Sequence, residues 1–182
     1  MKCLIVVDMQ NDFVTGSLGT LEAQAIVPKI ANLIKDLDED TKLVFTRDTH
    51  NPNSYWNSLE GRKLPVEHCF RGSYGHQIVR DLLGYKDALI FDKNTFGSIE
   101  LMTEMRHKEY KELNCDEIHI VGVCSDICVI SNALALRMAE PNIRIIVHKD
   151  LCAGTSVEAH EAAMMVMKSC QCDIVEGVGI ND

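Results

Sequence analysis

The sequence lacks any long hydrophobic run. Its first apolar segment extends only from Cys3 to Val7 before Asp8 interrupts it, whereas a secretory signal peptide has a longer apolar region and a small-residue cleavage site. No other segment approaches the length of a transmembrane helix. We therefore expect a cytoplasmic protein with no membrane partner.

Positive charge is also scarce. The chain has 18 lysines and arginines against 27 aspartates and glutamates, which gives a net charge of −9. Nucleic acids and anionic membrane surfaces are bound through basic faces. The composition therefore argues against nucleic acid as a partner, although acidity by itself identifies no substrate.

A glycine fingerprint for dinucleotide binding is absent as well. G-x-G-x-x-G would follow the first strand of such a protein, but the sequence there is VVDMQNDF, at positions 6–13. The 182 residues also lack repeats, low-complexity tracts and linkers, and 46% of them are hydrophobic. This length and composition are typical of a single globular domain, predicted here over residues 1–182.

Cysteine, by contrast, is abundant, with eight in the chain. A disulfide framework is typical of short secreted proteins, and this chain is long enough to bury a core without cross-links. The role of Cys69, beside His68 in a predicted loop, stays open. We predict that most of the others are reduced and structural, namely Cys3, Cys115, Cys124, Cys152, Cys170 and Cys172.

Short apolar runs alternate with amphipathic stretches along the whole chain. The runs are mostly continuous, as in strands buried on both faces of a parallel sheet. Six strands are predicted, at 2–7, 42–46, 88–92, 117–123, 143–148 and 172–175. The predicted helices are 22–37, 126–139 and 156–170, with shorter ones at 76–83 and 98–112. This alternation indicates an α/β fold with a doubly wound sheet.

Chemically active residues follow four of the predicted strands. They are Asp8, the pair Asp48 and His50, Lys93, and the CSDIC segment at 124–128. In sheets of this type, ligands bind at the carboxyl ends of the strands. The segment 51–75 has no clear period, and an irregular loop of that length is usually functional. The sequence therefore predicts an active site at one edge of the sheet.

Cys128 is a candidate nucleophile because it lies in the first turn of a predicted helix. The positive end of the helix dipole favours a thiolate, and the free N–H groups there can stabilise an oxyanion. Ser125 or Asp126 is expected to cap that helix. A buried cysteine that packs against the sheet is an equally good interpretation of its position alone.

Asp8 and Lys93 supply the other groups that a cysteine nucleophile needs. A carboxylate beside a thiol can accept its proton and later pass that proton to a departing amine. An ammonium close to both would favour their charged forms. Taken singly, Asp8 reads as an ordinary loop carboxylate and Lys93 as a solvated lysine; together with Cys128 they form a nucleophile, a base and an electrostatic partner.

Asp48, His50 and His68 form a second set, with Glu60 and Glu67 as candidate additional ligands. Two residues that are two apart on a strand point the same way. Mixed imidazole and carboxylate donors suit zinc, iron or manganese better than calcium. The other histidines have no evident partner in the sequence: His76, His107, His119, His148 and His160.

At five places the sequence resembles the isochorismatase-like cysteine hydrolases, and nicotinamidases within that family. The motifs are VVDMQNDF (6–13), TRDTH (46–50), the H-C-x-x-G-S-x-G run (68–75), DKNTFGS (92–98) and GVCSDICV (122–129). The resemblance implies a single-domain, Rossmann-like three-layer sandwich with a six-stranded parallel sheet. It also implies a catalytic triad of Cys128, Asp8 and Lys93, and a cis peptide before Cys124 that turns the backbone N–H groups of Cys124 and Cys128 into an oxyanion hole.

The resemblance further implies a metal that binds the ring nitrogen of a pyridine substrate. Asp48, His50 and His68 match its ligands and Glu60 is the favoured fourth, with zinc expected first and iron or manganese as alternatives. No organic cofactor is implied. Homo-oligomers are an expectation carried from the family. The aromatic side chains expected to wall the substrate are Phe13, Trp56 and Phe96, for which ordinary packing is the competing interpretation.

The predicted activity is hydrolysis of a small amide, with nicotinamide giving nicotinate and ammonia through a thioester. Family members that cleave the vinyl ether of isochorismate lack the cysteine, so its presence favours amide cleavage. Amidases of the N-carbamoylsarcosine and ureidoacrylate types remain as alternatives, and they generally need no metal. A non-catalytic metal or thiol redox protein, using CSDIC and the pair Cys170 and Cys172, is a further alternative.

Overall fold

The structure, a computed structural model, describes residues 1–85, 87–106, 113–177 and 179–180. Its six strands are β1 (Lys2–Val7), β2 (Thr41–Asp48), β3 (Leu89–Lys93), β4 (Glu117–Val123), β5 (Arg144–Ala153) and β6 (Asp173–Val175). They form one sheet in the order β3-β2-β1-β4-β5-β6, and every pair is parallel. The single-domain α/β fold with a six-stranded parallel sheet is therefore confirmed.

Within the described part of the chain, six α-helices accompany the strands. They are α1 (Asn11–Val14), α2 (Leu21–Lys35), α3 (Leu59–Lys63), α4 (Ile99–Arg106), α5 (Ile130–Ala139) and α6 (Val157–Ser169). Short 3₁₀ turns lie at Tyr55–Asn57 and Arg80–Leu82, and a π-helical turn at Ser125–Val129 leads into α5. Thr20 and Ser156 cap α2 and α6 by accepting the backbone N–H three residues on.

Hydrophobic side chains pack on both faces of the sheet. From Cys3 to Val7, β1 is fully buried, with alternate residues pointing to opposite faces. One core contains side chains of α4, α5 and α6, and the other is built mainly on α2. The three layers hold the carboxyl ends of β1, β2, β3 and β4 at one edge of the sheet.

Two of the predicted shorter helices need comment. The helix predicted at 76–83 is wrong, because this segment is extended and pairs with the chain after β1: Val79 N donates to Met9 O, and Asn11 N donates to Gln77 O. Only the turn Arg80–Leu82 is helical. Of the helix predicted at 98–112, α4 covers 99–106, and residues 107–112 lie outside the described part of the chain, His107 among them.

Candidate active site

Asp8 is placed at the end of the central strand β1 in a left-handed conformation, with φ +50°. Aspartate tolerates this conformation better than most residues because its short polar side chain makes local hydrogen bonds. Its carboxylate is fully buried, and the Nζ atom of Lys93 lies 2.6 Å from Oδ2. The two side chains therefore form a buried ion pair.

Lys93 ends β3 and reaches over β2 toward β1. Its Nζ donates to Sγ of Cys128 at 3.5 Å and lies 3.9 Å from Oδ1 of Asp48. The three residues that the sequence grouped together, Asp8, Lys93 and Cys128, are thus brought together by three separate strand ends. The same ammonium also contacts the second group of predicted site residues.

Cys128 lies in the π-helical turn after β4. The peptide bond between Val123 and Cys124 is cis, and the amides of Ile127 and Val129 both donate to the carbonyl of Cys124. The thiol is buried, with 7% of the residue exposed. The turn holds the nucleophile candidate at the base of a cleft.

The expected cap of this helix is wrong. The side chain of Ser125 hydrogen-bonds His160 at 2.9 Å instead, and the carboxylate of Asp126 accepts from the backbone N–H and the hydroxyl of Thr155. Both side chains therefore tie the turn to the segment that leads into α6 and leave its backbone N–H groups without a side-chain cap.

Burial decides the charge states in the triad. It raises the pKa of the Cys128 thiol well above its ordinary value, and the carboxylate of Asp8 adds to this effect while Lys93 opposes it. Burial also raises the pKa of Asp8. For Lys93, burial opposes the charge, but Asp8 outweighs it and the pKa is raised. Burial and the neighbouring carboxylate therefore outweigh the ammonium and favour a neutral thiol at rest.

Four predicted ligands converge beside the triad. One ligand atom from each of Asp48, His50, Glu60 and His68 lies within 4.8 Å of the others. The Nε2 atoms of His50 and His68 lie 2.9 Å and 3.4 Å from Oδ2 of Asp48, and 3.7 Å and 3.6 Å from Oε1 of Glu60. Glu67, the other candidate, is not part of this cluster.

Four distances within the cluster are compatible with a shared divalent ion. Ligands about 2.1 Å from zinc are separated from each other by about 3.4 Å, close to the four distances between these side chains. Nε2 of His50 is buried and makes no well-aligned hydrogen bond, although Oδ2 of Asp48 lies 2.9 Å away. The ring of His68 uses Nδ1 on the carbonyl of Val66 at 2.9 Å, so Nε2 faces the carboxylates. These four residues could hold zinc or a similar divalent metal.

The charges of the cluster are strongly coupled. Burial disfavours the charged ring of His68, but its hydrogen bonds with Asp48 and Glu60 outweigh this and raise its pKa to about 10. Burial also opposes the charge of Asp48, and the two histidines outweigh it and lower the pKa of that carboxyl. The site therefore favours one extra positive charge, as expected of a cation site.

Lys93, Cys128 and the four residues of the cluster line one cleft of about 1170 Å³, and Asp8 lies buried beneath it. Phe13 and Phe96, two of the three aromatic candidates, line this cleft, and so does Tyr55. Trp56 is not among the lining residues: its ring packs against Tyr55 and Phe70 and is 43% exposed. Tyr55 rather than Trp56 faces the cleft because the two residues lie in a 3₁₀ turn. Consecutive residues of a tight helix point in different directions, and Tyr55 is the buried one.

Three polar residues that the sequence did not single out support the site. Gln10 is buried and holds the end of β2: its amide donates to the carbonyl of Asp48 and accepts the backbone N–H of that residue. Asn132 donates to the carbonyl of Cys128 and accepts the backbone N–H of Ser98. Thr46 donates to the carboxylate of Asp8. Each lies within or next to a motif, but a single sequence does not show which neutral side chain turns inward.

Cysteines and histidines outside the site are accounted for by packing. All eight cysteines are free thiols, and Cys69 is buried with its N–H bonded to Asp12. Several other histidines, for which the sequence shows no partner, make hydrogen bonds in the fold. His119 hydrogen-bonds His148 at 2.8 Å and Glu117 at 3.0 Å, and His76 hydrogen-bonds Thr49. Among the described residues, no helix is long and apolar enough to cross a membrane.

Comparison with known proteins gives consistent matches over most of the chain. The family model described as the isochorismatase domain matches residues 2–177. A nicotinamidase of Saccharomyces cerevisiae is 29% identical, over 74% of this chain and 81% of that protein. A nicotinamidase/pyrazinamidase of Mycobacterium tuberculosis is 25% identical, over 96% and 98%. The crystal structure of a pyrazinamidase of Pyrococcus horikoshii in complex with zinc is similar with a TM-score of 0.82 and 29% identity, over 97% and 99% of the two chains.

Proposed function

Because the chain belongs to the isochorismatase family, we propose that it is a cysteine-dependent amide hydrolase that converts nicotinamide to nicotinate and ammonia. The main observation in its support is that the ammonium of Lys93 lies close to both the candidate nucleophile and a candidate metal ligand. Lys93 Nζ lies 3.5 Å from Sγ of Cys128 and 3.9 Å from Oδ1 of Asp48, so a nucleophile and a set of metal ligands lie in the same cleft. The relatives named nicotinamidase support this choice of substrate.

The first step is proton transfer from Cys128 to Asp8. The thiol is neutral at rest because it is buried beside a carboxylate, so it needs a base at the moment of attack. Asp8, whose pKa burial raises, is a stronger base than an exposed aspartate. Lys93, which contacts both groups, stays positively charged and compensates whichever of them is negative.

Attack of the thiolate on the amide carbonyl gives a tetrahedral oxyanion. The backbone N–H groups of Cys124 and Cys128 are the donors assigned to it. Asp8 then gives its proton to the departing nitrogen, the C–N bond breaks, and ammonia leaves while the acyl group stays on Cys128 as a thioester. Water, deprotonated by the same carboxylate, attacks the thioester, so the products are the carboxylic acid and the regenerated thiol. The sum is one amide and one water consumed, with one acid and one ammonia released.

The metal ligands proposed are Asp48, His50, Glu60 and His68. A divalent metal held by them would supply a Lewis-acid contact for the ring nitrogen of a pyridine substrate. In this assignment Phe13, Phe96 and Tyr55 form the walls for the aromatic ring. Zinc is the metal that best suits two imidazoles and two carboxylates at these separations.

Ammonia release from nicotinamide, with and without a chelator, tests the proposal. Cys128→Ala is the matched control because it removes only the thiol. Loss of turnover both with chelator and in the variant supports the assignment. Absence of turnover with folded, metal-loaded protein rejects nicotinamide. The assay would then turn to carbamoyl substrates of the N-carbamoylsarcosine and ureidoacrylate types, and reversible disulfide formation without turnover would favour a redox protein.

A further inference from the structure

The hydroxyl of Thr46 contacts Asp8 at two points. It donates to Oδ1 at 2.7 Å and accepts the backbone N–H of Asp8 at 3.3 Å. Both residues are fully buried. Thr46 lies on β2 directly opposite Val7 of β1, so the pairing of the two strands fixes its position. The contact therefore belongs to the rigid part of the fold rather than to a loop.

The two oxygens of Asp8 are thereby given different partners. A hydroxyl has one proton and two lone pairs. Because one lone pair of Thr46 accepts the Asp8 N–H, its proton is directed at Oδ1. Oδ2 faces the other way, 2.6 Å from Nζ of Lys93. Lys93 also donates to Sγ of Cys128, so one ammonium contacts both Oδ2 and the nucleophile candidate.

We propose that Thr46 is a positioning residue that keeps Asp8 ionised and directs the proton of Cys128 to Oδ2. This inference rests on the proposed function of the site. In the step concerned, the S–H bond breaks, its electron pair stays on sulfur, and an O–H bond forms at Oδ2. Oδ1 keeps its hydrogen bond with Thr46 throughout, so the carboxylate does not rotate. Lys93 remains within reach of the new thiolate.

The charged and titratable groups around Asp8 come from three elements. Lys93 of β3 stabilises the carboxylate, and Asp48 of β2 and Cys128 of the turn after β4 oppose a second negative charge. Thr46 is the neutral donor in this set. Burial disfavours the carboxylate, and a hydrogen bond to its charged form opposes that effect. Removal of the hydroxyl is therefore expected to raise the pH at which Asp8 becomes protonated.

The test compares Thr46→Val, which is isosteric and lacks the hydroxyl, with Thr46→Ser, which retains it. Two readouts are measured against pH on metal-loaded protein: kcat/KM for nicotinamide, and the rate of Cys128 alkylation by iodoacetamide, followed by mass spectrometry of the peptide. A hydrogen bond to a charged group corresponds to a shift of about one to two pH units. We expect Thr46→Val to move the acidic limb of both profiles upward by that amount, and Thr46→Ser to match the wild type.

An unshifted acidic limb in Thr46→Val, or a Thr46→Ser variant as impaired as Thr46→Val, overturns the inference. If Thr46→Val does not fold, as judged by circular dichroism, Thr46→Ala takes its place in the same comparison. The alkylation profile needs no substrate. A protein that is inactive on nicotinamide but shows the shifted alkylation limb would reject the substrate and retain the role of Thr46.

Discussion

The ammonium of Lys93 and the carboxylate of Asp8 lie 2.6 Å apart, and neither side chain is exposed to solvent. Removing a charge from water is costly, and the oppositely charged partner is the main group that offsets that cost here. Loss of one member is therefore expected to lower the free energy of unfolding by more than the intact pair contributes to it.

Lys93→Met is expected to destabilise the fold by about 3–5 kcal/mol, because it leaves the Asp8 carboxylate buried and unpaired. The double variant Asp8→Asn, Lys93→Met removes both charges and is expected to be closer to the wild type. Urea unfolding of the single and double variants measures this coupling. Lys35→Met, on the exposed side of α2, is the control. Additive effects of Asp8→Asn and Lys93→Met would contradict the prediction.

Cys128→Ala is expected to lower kcat by at least about a thousandfold, the order of loss seen when a covalent nucleophile is removed. The same variant should keep its thermal midpoint within a few degrees, because only one sulfur atom at the base of the cleft is lost. Cys170→Ala removes a thiol at the end of α6 and should leave turnover unchanged. Equal losses in the two variants would argue against a specific role for Cys128.

Purified protein is expected to contain about one zinc or similar ion per chain, because the described residues form one four-ligand cluster. His50→Ala should lower that content in elemental analysis, and a chelator should lower the melting temperature of the wild type but not of the variant. His160→Gln, which alters a histidine outside the cluster, should retain the metal. An unchanged metal content in His50→Ala would remove this residue from the ligand set.

Stability should fall in mild acid because of His148. Burial, with His119 beside it, lowers the pKa of this histidine to about 4, whereas an unfolded histidine titrates near 6.5. Between these values the unfolded chain binds the extra proton, so stability is full above about pH 6.5 and is lost as the pH falls toward 4. The expected loss is about 2 kcal/mol between pH 7.5 and pH 5.

Urea unfolding at the two pH values measures this loss, and His148→Gln isolates it from other titrations. The variant should lose about 2 kcal/mol less than the wild type over the same interval. His160→Gln is a control, because His160 is less buried. A wild type and His148→Gln variant with the same pH dependence would show that His148 does not titrate in this range.

The sequence was sufficient to predict the sheet because its strands are nearly continuous apolar runs, and a residue such as Ile5 has no alternative environment. It was also sufficient to bring Asp8, Asp48, Lys93 and Cys128 to one edge, because parallel strands end on the same side. The fold and the grouping of the site therefore follow from local patterns.

Other features depend on contacts that no local pattern encodes. The segment around Ile78 is extended because it pairs with the chain near Gln10, although its composition permits a helix. Tyr55 and Trp56 are adjacent and aromatic, and only the path of the loop decides which ring faces the cleft. The protonation of Cys128 depends on its burial, which position within a helix does not reveal.

The pairing of β3 with β2 has a consequence for folding accuracy. β3 is a short edge strand, and its register sets Lys93 opposite Asp48. A slip of one residue would reverse the faces of its side chains. It would then present Asp92 or Asn94 toward Asp8, so a lysine would be exchanged for a carboxylate or an amide. The buried ion pair therefore also disfavours misaligned strands, because Lys93 reaches Asp8 only when β3 pairs with β2 in the correct register.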